Sequence, residues 1–480
     1  MRQKLKKVFY RLFHSPTFTT WGNFLVKLGG WAFLLPLILH ESPEEEVSIW
    51  MTFQTMIDFL LIFDLGLMQS FSRAFSYAFA GVRRLDVDKH GKLLPAEHGA
   101  VNWDLMGKIY GVSRRIYMFL AIAAVVLVLL YSAFVFYPEL KGLESFDAYR
   151  YEMLWALLFL ILGGGARLFG NLYISTLTGT NHIALLNRWE ILFGSLGLLS
   201  AIITYLLTRN IYWVIVVQCT WYVLTVVRNA FLVRSKLPHL KIMPFDKNIF
   251  NVVWQAVWRS GIGLLAGTGL VRASALMLVK FVPLAQAGAY QLAVKLIGTI
   301  SDFSRAPFYS RLPEMTILYA RNQWRELTQI AYRGIWMSLL VFASATVAVG
   351  FLHEWVLQLL QSEAGFVSNT VWFLLVLAYG IERYGAMHLQ LYSLSNHILW
   401  HIANGVAGII HLCSLFITFP LLGLTAFPLS LLLGNIFYVG YSASLVYRHL
   451  PIRPQDINKK ALWGIILSWL LALFLFLLMF

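Results

Sequence analysis

The chain has 480 residues, of which 59% are hydrophobic and only 13% are charged. An average soluble domain carries roughly 25% charged residues, so this composition excludes a water-soluble globular protein and predicts a membrane protein. Lysine and arginine (38) exceed aspartate and glutamate (23), which gives a formal net charge of +15. In a membrane protein such an excess is typical of cytoplasmic loops and does not indicate nucleic-acid binding.

Windows of about 20 apolar residues predict 13 transmembrane helices. Their approximate ranges are 18–40, 47–79, 112–136, 152–178, 184–207, 211–234, 254–281, 286–311, 330–352, 367–393, 398–419, 424–447 and 461–480. The turns at 179–181 and 394–396 leave no room for extramembrane domains. We therefore predict one polytopic unit.

The positions of lysine and arginine predict its orientation. About twenty basic residues fall in the N-terminal segment and in alternate loops, whereas the other side holds only Lys141, Arg150 and Arg209. By the positive-inside rule the N-terminus is cytoplasmic, and with 13 spans the C-terminus lies outside. Residues 1–17 are basic with apolar residues at helical spacing, which predicts an amphipathic helix on the anionic cytoplasmic leaflet.

An internal repeat is visible at an offset of 215 residues. GARLFGNLYISTLTGTNHI at 165–183 aligns with GIERYGAMHLQLYSLSNHI at 380–398, and both stretches end in Asn-His-Ile. We predict an all-α polytopic fold with a six-helix N-lobe at 18–234, a six-helix C-lobe at 254–447 and one additional C-terminal transmembrane helix at 461–480. Two parallel halves of this kind are related by a pseudo-two-fold axis along the membrane normal, with the substrate path at their interface.

Catalytic and metal-binding motifs are missing from the sequence. Cys219 and Cys413 lie in apolar runs without metal-ligand spacing, which argues against a disulfide framework, a zinc site and a redox motif. No GxSxG, GxxxxGK[ST] or HExxH motif occurs, nor a GxGxxG after a strand. We predict no enzyme activity, no metal and no cofactor other than a coupling ion.

Ionisable residues inside membrane spans are costly and usually face a cavity, so they are the best candidate site residues. Cations outnumber carboxylates there, and they suit phosphate groups, because arginine offers a planar fork and lysine a compact charge. The predicted cationic substrate-binding cavity contains Lys27, Arg73, Arg167, Arg272, Lys295 and Arg305.

Part of this prediction rests on helical periodicity. At 100° per residue the second span carries a single polar stripe. Its members are Gln54, Asp58, Gln69, Ser72 and Arg73. The eighth span carries a second polar face, on which Asp302 and Arg305 are three residues apart and can pair.

Each charged residue in a span also has a structural interpretation. The cations can pair with carboxylates, and Arg73, Arg228 and Lys280 lie close enough to span ends to snorkel. Four carboxylates can couple a gradient of H⁺ or Na⁺ to transport, or simply neutralise a neighbouring cation. They are Asp58, Asp64, Asp302 and Glu382. The clustered histidines are interpreted as hydrogen-bonded helix contacts rather than proton relays.

The opening region resembles a known family. GGWAFLLPLIL at 29–39 and FDLGLMQSFSRAFSYAFAG at 63–81, with its Asp-Leu-Gly-Leu element, are similar to the start of polysaccharide-repeat-unit flippases. These belong to the multidrug/oligosaccharidyl-lipid/polysaccharide exporter superfamily. The resemblance extends loosely over both halves and includes the turn TGTNHIALLNR at 178–188.

The resemblance implies alternating access by two six-helix lobes in the bacterial cytoplasmic (inner) membrane. The substrate would be a polyprenyl-pyrophosphate-linked oligosaccharide, moved to the outer leaflet for cell-surface or exopolysaccharide biosynthesis. The basic lumen of the family would correspond to Lys27, Arg167, Arg272, Lys295 and Arg305 here. Members commonly have 12 or 14 spans, so 13 is a departure.

Two alternatives stay open from the sequence. One is a multidrug or cation antiporter of the same superfamily, although the basic excess favours anionic substrates. The other is a membrane subunit of a polysaccharide synthase or export complex, in which the basic loop at 80–111 would dock a glycan polymerase or glycosyltransferase.

Overall fold

A computed structural model describes residues 29–82, 100–142, 146–395 and 399–452, together with Val26. Every regular element in these ranges is helical. The contacts divide the chain into two compact units between Gly261 and Ile262, which we call the N-unit and the C-unit. The predicted all-α fold class is confirmed, whereas the predicted lobe limits of 18–234 and 254–447 remain predictions.

The N-unit is built from long helices joined by short turns. Its helices are α1 Leu35–Glu41, α2 Glu44–Ile62, α3 Leu67–Phe79, α4 Trp103–Tyr131, α5 Tyr137–Leu140, α6 Phe146–Gly179, α7 Ile183–Thr208, α8 Ile211–Lys236 and α9 Lys247–Leu264, whose last residues enter the C-unit. Side chains cap several of these helices. Asn102 accepts from the backbone N–H of Leu105 at 3.0 Å, and Asn210 accepts from that of Tyr212 at 2.9 Å.

The C-unit is also built from helices joined by short turns. Its helices are α10 Leu270–Met277, α11 Leu284–Ser304, α12 Ala306–Tyr309, α13 Leu312–Ala320, α14 Trp324–Leu359, α15 Asn369–Tyr392, α16 Trp400–Leu422 and α17 Ala426–His449. A π-helical turn at Leu265–Gly269 precedes α10, and the helical segment Gly261–Lys280, inside the predicted span at 254–281, is long and apolar enough to cross a membrane. The predicted span at 286–311 is interrupted, because α11 ends at Ser304.

The predicted second span, 47–79, is not one continuous helix. α2 and α3 are bent by 41° across the turn at 63–66. Two residues of this turn, Leu65 (φ 54°) and Gly66 (φ 74°), are in the left-handed region, which a helix cannot pass through. The single polar stripe predicted across this span is therefore wrong. Only Gln54 and Asp58 share α2, and Arg73 lies on α3 beyond the break.

Within the described ranges, seven helical segments are long and apolar enough to cross a membrane, and the bent pair α2–α3 is an eighth candidate. The number of 13 spans remains a prediction. The predicted amphipathic segment at 1–17 and the predicted helix at 461–480 lie outside the described residues.

Glycines set the closest helix contacts in both units. A Cβ on Gly170 of α6 would lie 2.7 Å from Cγ2 of Val226 on α8. A Cβ on Gly385 of α15 would lie 2.7 Å from Cδ1 of Tyr438 on α17. These two glycines are one of the repeat pairs identified in the sequence, and each closes the packing of its helix against the helix two places later. Small residues of this kind let helices approach closely, whereas Gly30 has open space around it.

Candidate functional site

The N-unit holds a polar cluster between α2, α6 and α8, which we call the N-unit cluster (Asp58, Arg167 and Tyr222). The guanidinium of Arg167 lies over the ring of Tyr222, with Cζ 4.5 Å from the ring centroid. Asp58 and Arg167 both lie within electrostatic reach of the Tyr222 hydroxyl. One turn earlier on α2, Gln54 donates to Oε1 of Gln218 on α8 at 3.0 Å. Polar side chains thus join α2 to α8 inside the predicted membrane region.

Arg167 is half-buried, and among the described residues no carboxylate forms an ion pair with it. Stacking on a tyrosine occupies the face of a guanidinium and leaves the in-plane N–H groups for other acceptors. The arrangement can therefore present a planar fork of donors to an anion. Tyr222 was not identified from the sequence.

A second N-unit site surrounds Asp64 in the turn between α2 and α3. Its Oδ1 accepts from the hydroxyl of Tyr117 on α4 at 3.0 Å and from Nδ2 of Asn171 on α6 at 2.8 Å. Its Oδ2 accepts from the backbone N–H of Met68 at 3.3 Å, and the backbone of Gly66 also donates to this carboxylate. The Asp-Leu-Gly-Leu element thus ties the bend to two other helices. Asn171 lies one helical turn after Arg167, a spacing that would have identified it from the sequence.

The C-unit holds a larger polar cluster on α11, α12 and α15, which we call the C-unit cluster (Ser301, Asp302, Arg305, Tyr309, Glu382 and Arg383). Its centre is Arg383, which is only 6% exposed. Arg383 donates from Nε to Oγ of Ser301 at 3.1 Å and also from Nη2. Its Nη2 lies 3.6 Å from Oε2 of Glu382. Neither Arg383 nor Ser301 was among the site residues predicted from the sequence.

The exposed side of the same cluster carries the predicted pair of Asp302 and Arg305. Their Oδ1 and Nη1 atoms are 3.3 Å apart, which confirms that they pair. The Tyr309 hydroxyl lies within electrostatic reach of Asp302, Arg305, Glu382 and Arg383. The structure therefore brings these four charged side chains together around one tyrosine.

The other predicted C-unit cations lie on α10 and α11. Arg272 is half-buried and lies within electrostatic reach of the Tyr379 hydroxyl. Asp302 and Glu382 lie within electrostatic reach of the same hydroxyl. Lys295 is half-buried on α11, two turns before Asp302. Arg272 thus faces the charged cluster of its own unit.

Arg73, a predicted site residue, belongs to neither cluster. Arg73 is exposed on α3 and donates from Nη2 to Oγ of Ser70 at 3.2 Å. Lys27 lies outside the described residues.

The predicted snorkelling of Arg228 is wrong. Its side chain is only 5% exposed and forms an ion pair with Glu190 of α7. Its guanidinium also lies over the ring of Phe193, 4.7 Å from the centroid, and donates to Oδ1 of Asn229. A carboxylate on the neighbouring helix removes the need for the side chain to reach water, because it satisfies the charge in place.

The described buried histidines are hydrogen-bonded between helices, as interpreted from the sequence. His388 lies between the Tyr384 carbonyl oxygen at 2.9 Å and the Tyr332 hydroxyl at 3.3 Å. His411 contacts the Ser430 hydroxyl at 3.0 Å. In the described part of the chain, no group of three or more His, Cys, Asp and Glu side chains is arranged to hold a metal ion.

No protein-family model matches the chain, and no curated protein matches it in sequence. Solved structures do match. An inward-facing multidrug resistance MATE transporter of the MOP superfamily aligns with a TM-score of 0.60 and 14% identity over 93% of this chain and 98% of its own. A MOP superfamily transporter from Pyrococcus furiosus Vc1, whose binding pocket is described as having reverse polarity, aligns at 0.52 and 14% over 96% and 98%.

The lipid II flippase MurJ in an inward closed conformation aligns with a TM-score of 0.50 and 13% identity, over 94% of this chain and 97% of its own. The chain therefore has the fold of MOP-superfamily transporters over nearly its whole length. Together with its apolar helices, this fold defines a multi-pass membrane protein.

Proposed function

We propose that the protein is a flippase that moves a polyprenyl-pyrophosphate-linked oligosaccharide across the bacterial cytoplasmic membrane by alternating access. The carrying observation is Arg167, a half-buried guanidinium inside a membrane helix with no ion-pair partner among the described residues. A cation inside a membrane is costly without an anion close by, so this arrangement favours an anionic substrate. A pyrophosphate can accept from the in-plane N–H groups of Arg167, which the Tyr222 ring does not cover.

The C-unit contains further predicted cations that suit a phosphate group. Arg272, Lys295 and Arg305 are the predicted members on this side, and the first two are half-buried. Arg305 is already paired with the exposed Asp302. The fold shared with a lipid II flippase supports a lipid-linked substrate.

We assign coupling to an H⁺ or Na⁺ gradient to carboxylates whose hydrogen bonds and ion pairs can change during transport. Asp58 in the N-unit cluster and Asp302 and Glu382 in the C-unit cluster fit this role. Asp64 fits it less well, because four donors already surround its carboxylate and two of them belong to the bend itself. We propose Asp64 mainly as a residue that holds the α2–α3 bend.

A multidrug or cation antiporter is the second candidate, favoured by the fold shared with a multidrug resistance transporter. The side chain of Asp302 is 65% exposed and that of Glu382 36%, so both could meet an organic cation. This function predicts that neutralising Asp302 or Glu382 abolishes drug resistance in a pump-deficient strain. The flippase function predicts no resistance in that strain.

Native mass spectrometry of the detergent-purified protein tests the flippase proposal. We expect a copurifying polyprenyl-pyrophosphate lipid in the wild type that is lost in Arg167→Ala, Arg272→Ala and Lys295→Ala. The matched control is Arg150→Ala, which removes an exposed arginine from the same helix as Arg167 and should keep the lipid. A wild type without lipid, or lipid retained in all three variants, would contradict the proposal.

The cellular setting forms part of the same proposal. The positive-inside charge distribution supports a cytoplasmic N-terminus. The inner-membrane location is what the resemblance to polysaccharide flippases implies. A glycan polymerase or glycosyltransferase is the expected partner, because it would supply or consume the lipid-linked glycan. Charge reversal at Lys295 and Arg272 should abolish polymer export without lowering the protein level.

A further inference from the structure

The connection between the two halves of the sequence runs along the surface of α4. α8 ends at Lys236, a turn follows at Leu237–Leu240, and α9 begins at Lys247. Residues 237–246, which we call the strap, have no helical structure after that turn, and all of them belong to the N-unit. The Asp246 side chain ends the strap by capping α9, where Oδ1 accepts from the backbone N–H of Asn248 at 2.9 Å.

The strap lies in a groove made by two glycines one turn apart on α4. A Cβ on Gly107 would lie 2.5 Å from the carbonyl oxygen of Lys241. A Cβ on Gly111 would overlap the carbonyl oxygen of Met243 and would lie 3.2 Å from that of Pro244. The backbone N–H of Met243 donates to the Gly107 carbonyl oxygen at 3.3 Å. Any side chain at either glycine would therefore displace the strap backbone.

Aromatic and cationic contacts extend the groove by one turn at each end. One turn before Gly107, the ring of Trp103 contacts that of His239 with centroids 5.5 Å apart. One turn after Gly111, the guanidinium of Arg115 lies over the ring of Phe245, 5.2 Å from its centroid. Four positions of α4 thus meet four positions of the strap in the same order.

The spacing of these contacts explains the match. Along α4 the contacts recur every four residues, which is about 6 Å of helix rise. Along the strap they recur every two residues, which is about 6.6 Å of extended chain. Because these two distances between successive contacts are nearly equal, the strap stays in register with α4 over all four contacts.

The strap is also continuous with the N-unit core through α9. Phe245 packs on Phe250 with centroids 5.6 Å apart, and Phe250 stacks on Trp254 at 5.9 Å. Ile249 and Val253 are buried in the same hydrophobic cluster as α4 and α8. The first turns of α9 are thus anchored in the N-unit together with the strap.

We propose that the strap stays docked on the Gly107–Gly111 face of α4 throughout the working cycle of the protein. Gly107, Gly111 and Arg115 are then positioning residues that make the connection between the halves a fixed part of the N-unit. Movement of the C-unit begins beyond this anchor, in α9, rather than in the loop that the sequence places between the lobes. The statement about the cycle rests on the proposed transport function, whereas the docking does not.

Hydrogen–deuterium exchange of the full-length protein in nanodiscs tests the docking. In the wild type, the amide of Met243, which donates to the Gly107 carbonyl oxygen, should exchange slowly, and Gly111→Ala should accelerate its exchange by about tenfold or more. The matched control is Gly405→Ala, a helix glycine with open space around it, which should leave the strap unchanged. A second variant, Phe245→Ala, removes the strap ring that contacts Arg115 and leaves α4 unchanged. It serves as the test if Gly111→Ala does not fold. Fast exchange in the wild type, or unchanged exchange in both strap variants, would overturn the proposal.

A cross-link tests whether the strap stays in place during the cycle. Cysteines replacing Trp103 and His239, in a Cys413→Ser background, are joined by a short thiol cross-linker in proteoliposomes. Cys219 is buried and can remain. The cross-linked protein should flip a fluorescent polyprenyl-pyrophosphate glycolipid at the rate of the untreated protein. Loss of flipping on cross-linking that returns on cleavage of the linker would show that the strap must leave α4. Absent flipping before cross-linking would instead count against the proposed function, and the exchange experiment would still decide the docking.

Discussion

Tyr117 and Tyr332 occupy the same position of the sequence repeat, at the offset of 215 (332 minus 117) that relates Gly170 to Gly385. Both side chains are almost fully buried, at 0% and 1% exposure. Their partners differ, because the Tyr117 hydroxyl donates to Asp64 and the Tyr332 hydroxyl meets His388. The repeat thus keeps a tyrosine at one position while the group that it bonds has diverged.

Removing the Tyr117 hydroxyl should destabilise the N-unit without opening a cavity. Tyr117→Phe keeps the buried ring and deletes one hydrogen bond to Asp64, at a cost of about 1.5–3 kcal/mol, since the acceptor is a carboxylate. Asp64→Asn should cost more, because an amide N–H₂ in place of Oδ2 cannot accept from the backbone N–H of Met68 and the remaining oxygen carries no charge. Thermal unfolding in detergent measures both. A wild-type unfolding temperature in Asp64→Asn would show that the bend does not depend on this carboxylate.

Replacing either glycine of the repeat pair with alanine should push tightly packed helices apart. Gly170→Ala and Gly385→Ala place a methyl group 2.7 Å from a side chain of α8 and α17, respectively. Overpacking of this kind costs about 1–3 kcal/mol. Val226→Ala should rescue Gly170→Ala, because it removes the atom that the new methyl meets, and it should not rescue Gly385→Ala. Unfolding of the single and double variants measures this coupling, and a lack of rescue would contradict the contact.

Breaking the ion pair between α7 and α8 should be more damaging than replacing it. Glu190→Ala leaves Arg228 charged and buried, and such a loss typically costs about 3–5 kcal/mol. The partial exposure of Glu190 places the expected value at the lower end of that range. The double variant Glu190→Leu with Arg228→Met should recover most of the loss, since no unpaired charge remains. Chemical denaturation compares the three proteins, and equal losses in the single and double variants would rule out this account.

Acid should loosen the connection of Glu41 with Arg209, on the predicted outer side. The hydrogen bond and charge of Arg209 lower the pKa of Glu41 below its usual value. A lowered pKa means that the contact is fully present above the ordinary pKa of glutamate, about 4.3, and is lost as the pH falls through the lowered value. Protection factors of the amides at 208–212, which are corrected for the pH dependence of intrinsic exchange, should therefore stay constant from neutral pH to about pH 5 and fall below pH 4. Glu41→Gln should show the low protection at every pH, and a change between pH 6 and 8 would point to another group.

Many elements of the fold follow from sequence periodicity alone. The predicted spans at 184–207 and 211–234 lie on α7 and α8, whose bounds are 183–208 and 211–236. Long apolar helices separated by capping residues are a local property of the chain, so hydropathy and turn residues locate them. The pairing of Asp302 with Arg305 was predictable for the same reason, since both lie within one turn of chain.

The candidate site depended on contacts that no local pattern contains. Asp64 and Asn171 are 107 residues apart, and Glu190 and Arg228 are 38 apart. The polar stripe failed because a helical wheel assumes one continuous helix, whereas Leu65 and Gly66 turn the backbone into the left-handed region. Where a break falls inside an apolar stretch, hydropathy does not change, so only the backbone conformation reveals it.

The sequence by itself determined a basic, polytopic, all-α membrane protein with an internal repeat, because composition and periodicity act over short stretches of chain. The tertiary structure decided which partners the charges have. Glu190 pairs with Arg228, and Glu382 pairs with Arg383, which also donates to the Ser301 hydroxyl. Arg167 pairs with no described carboxylate. The physical reason is that the cost of a charge in a membrane depends on partners within a few ångströms, and helix packing brings those partners from distant parts of the chain.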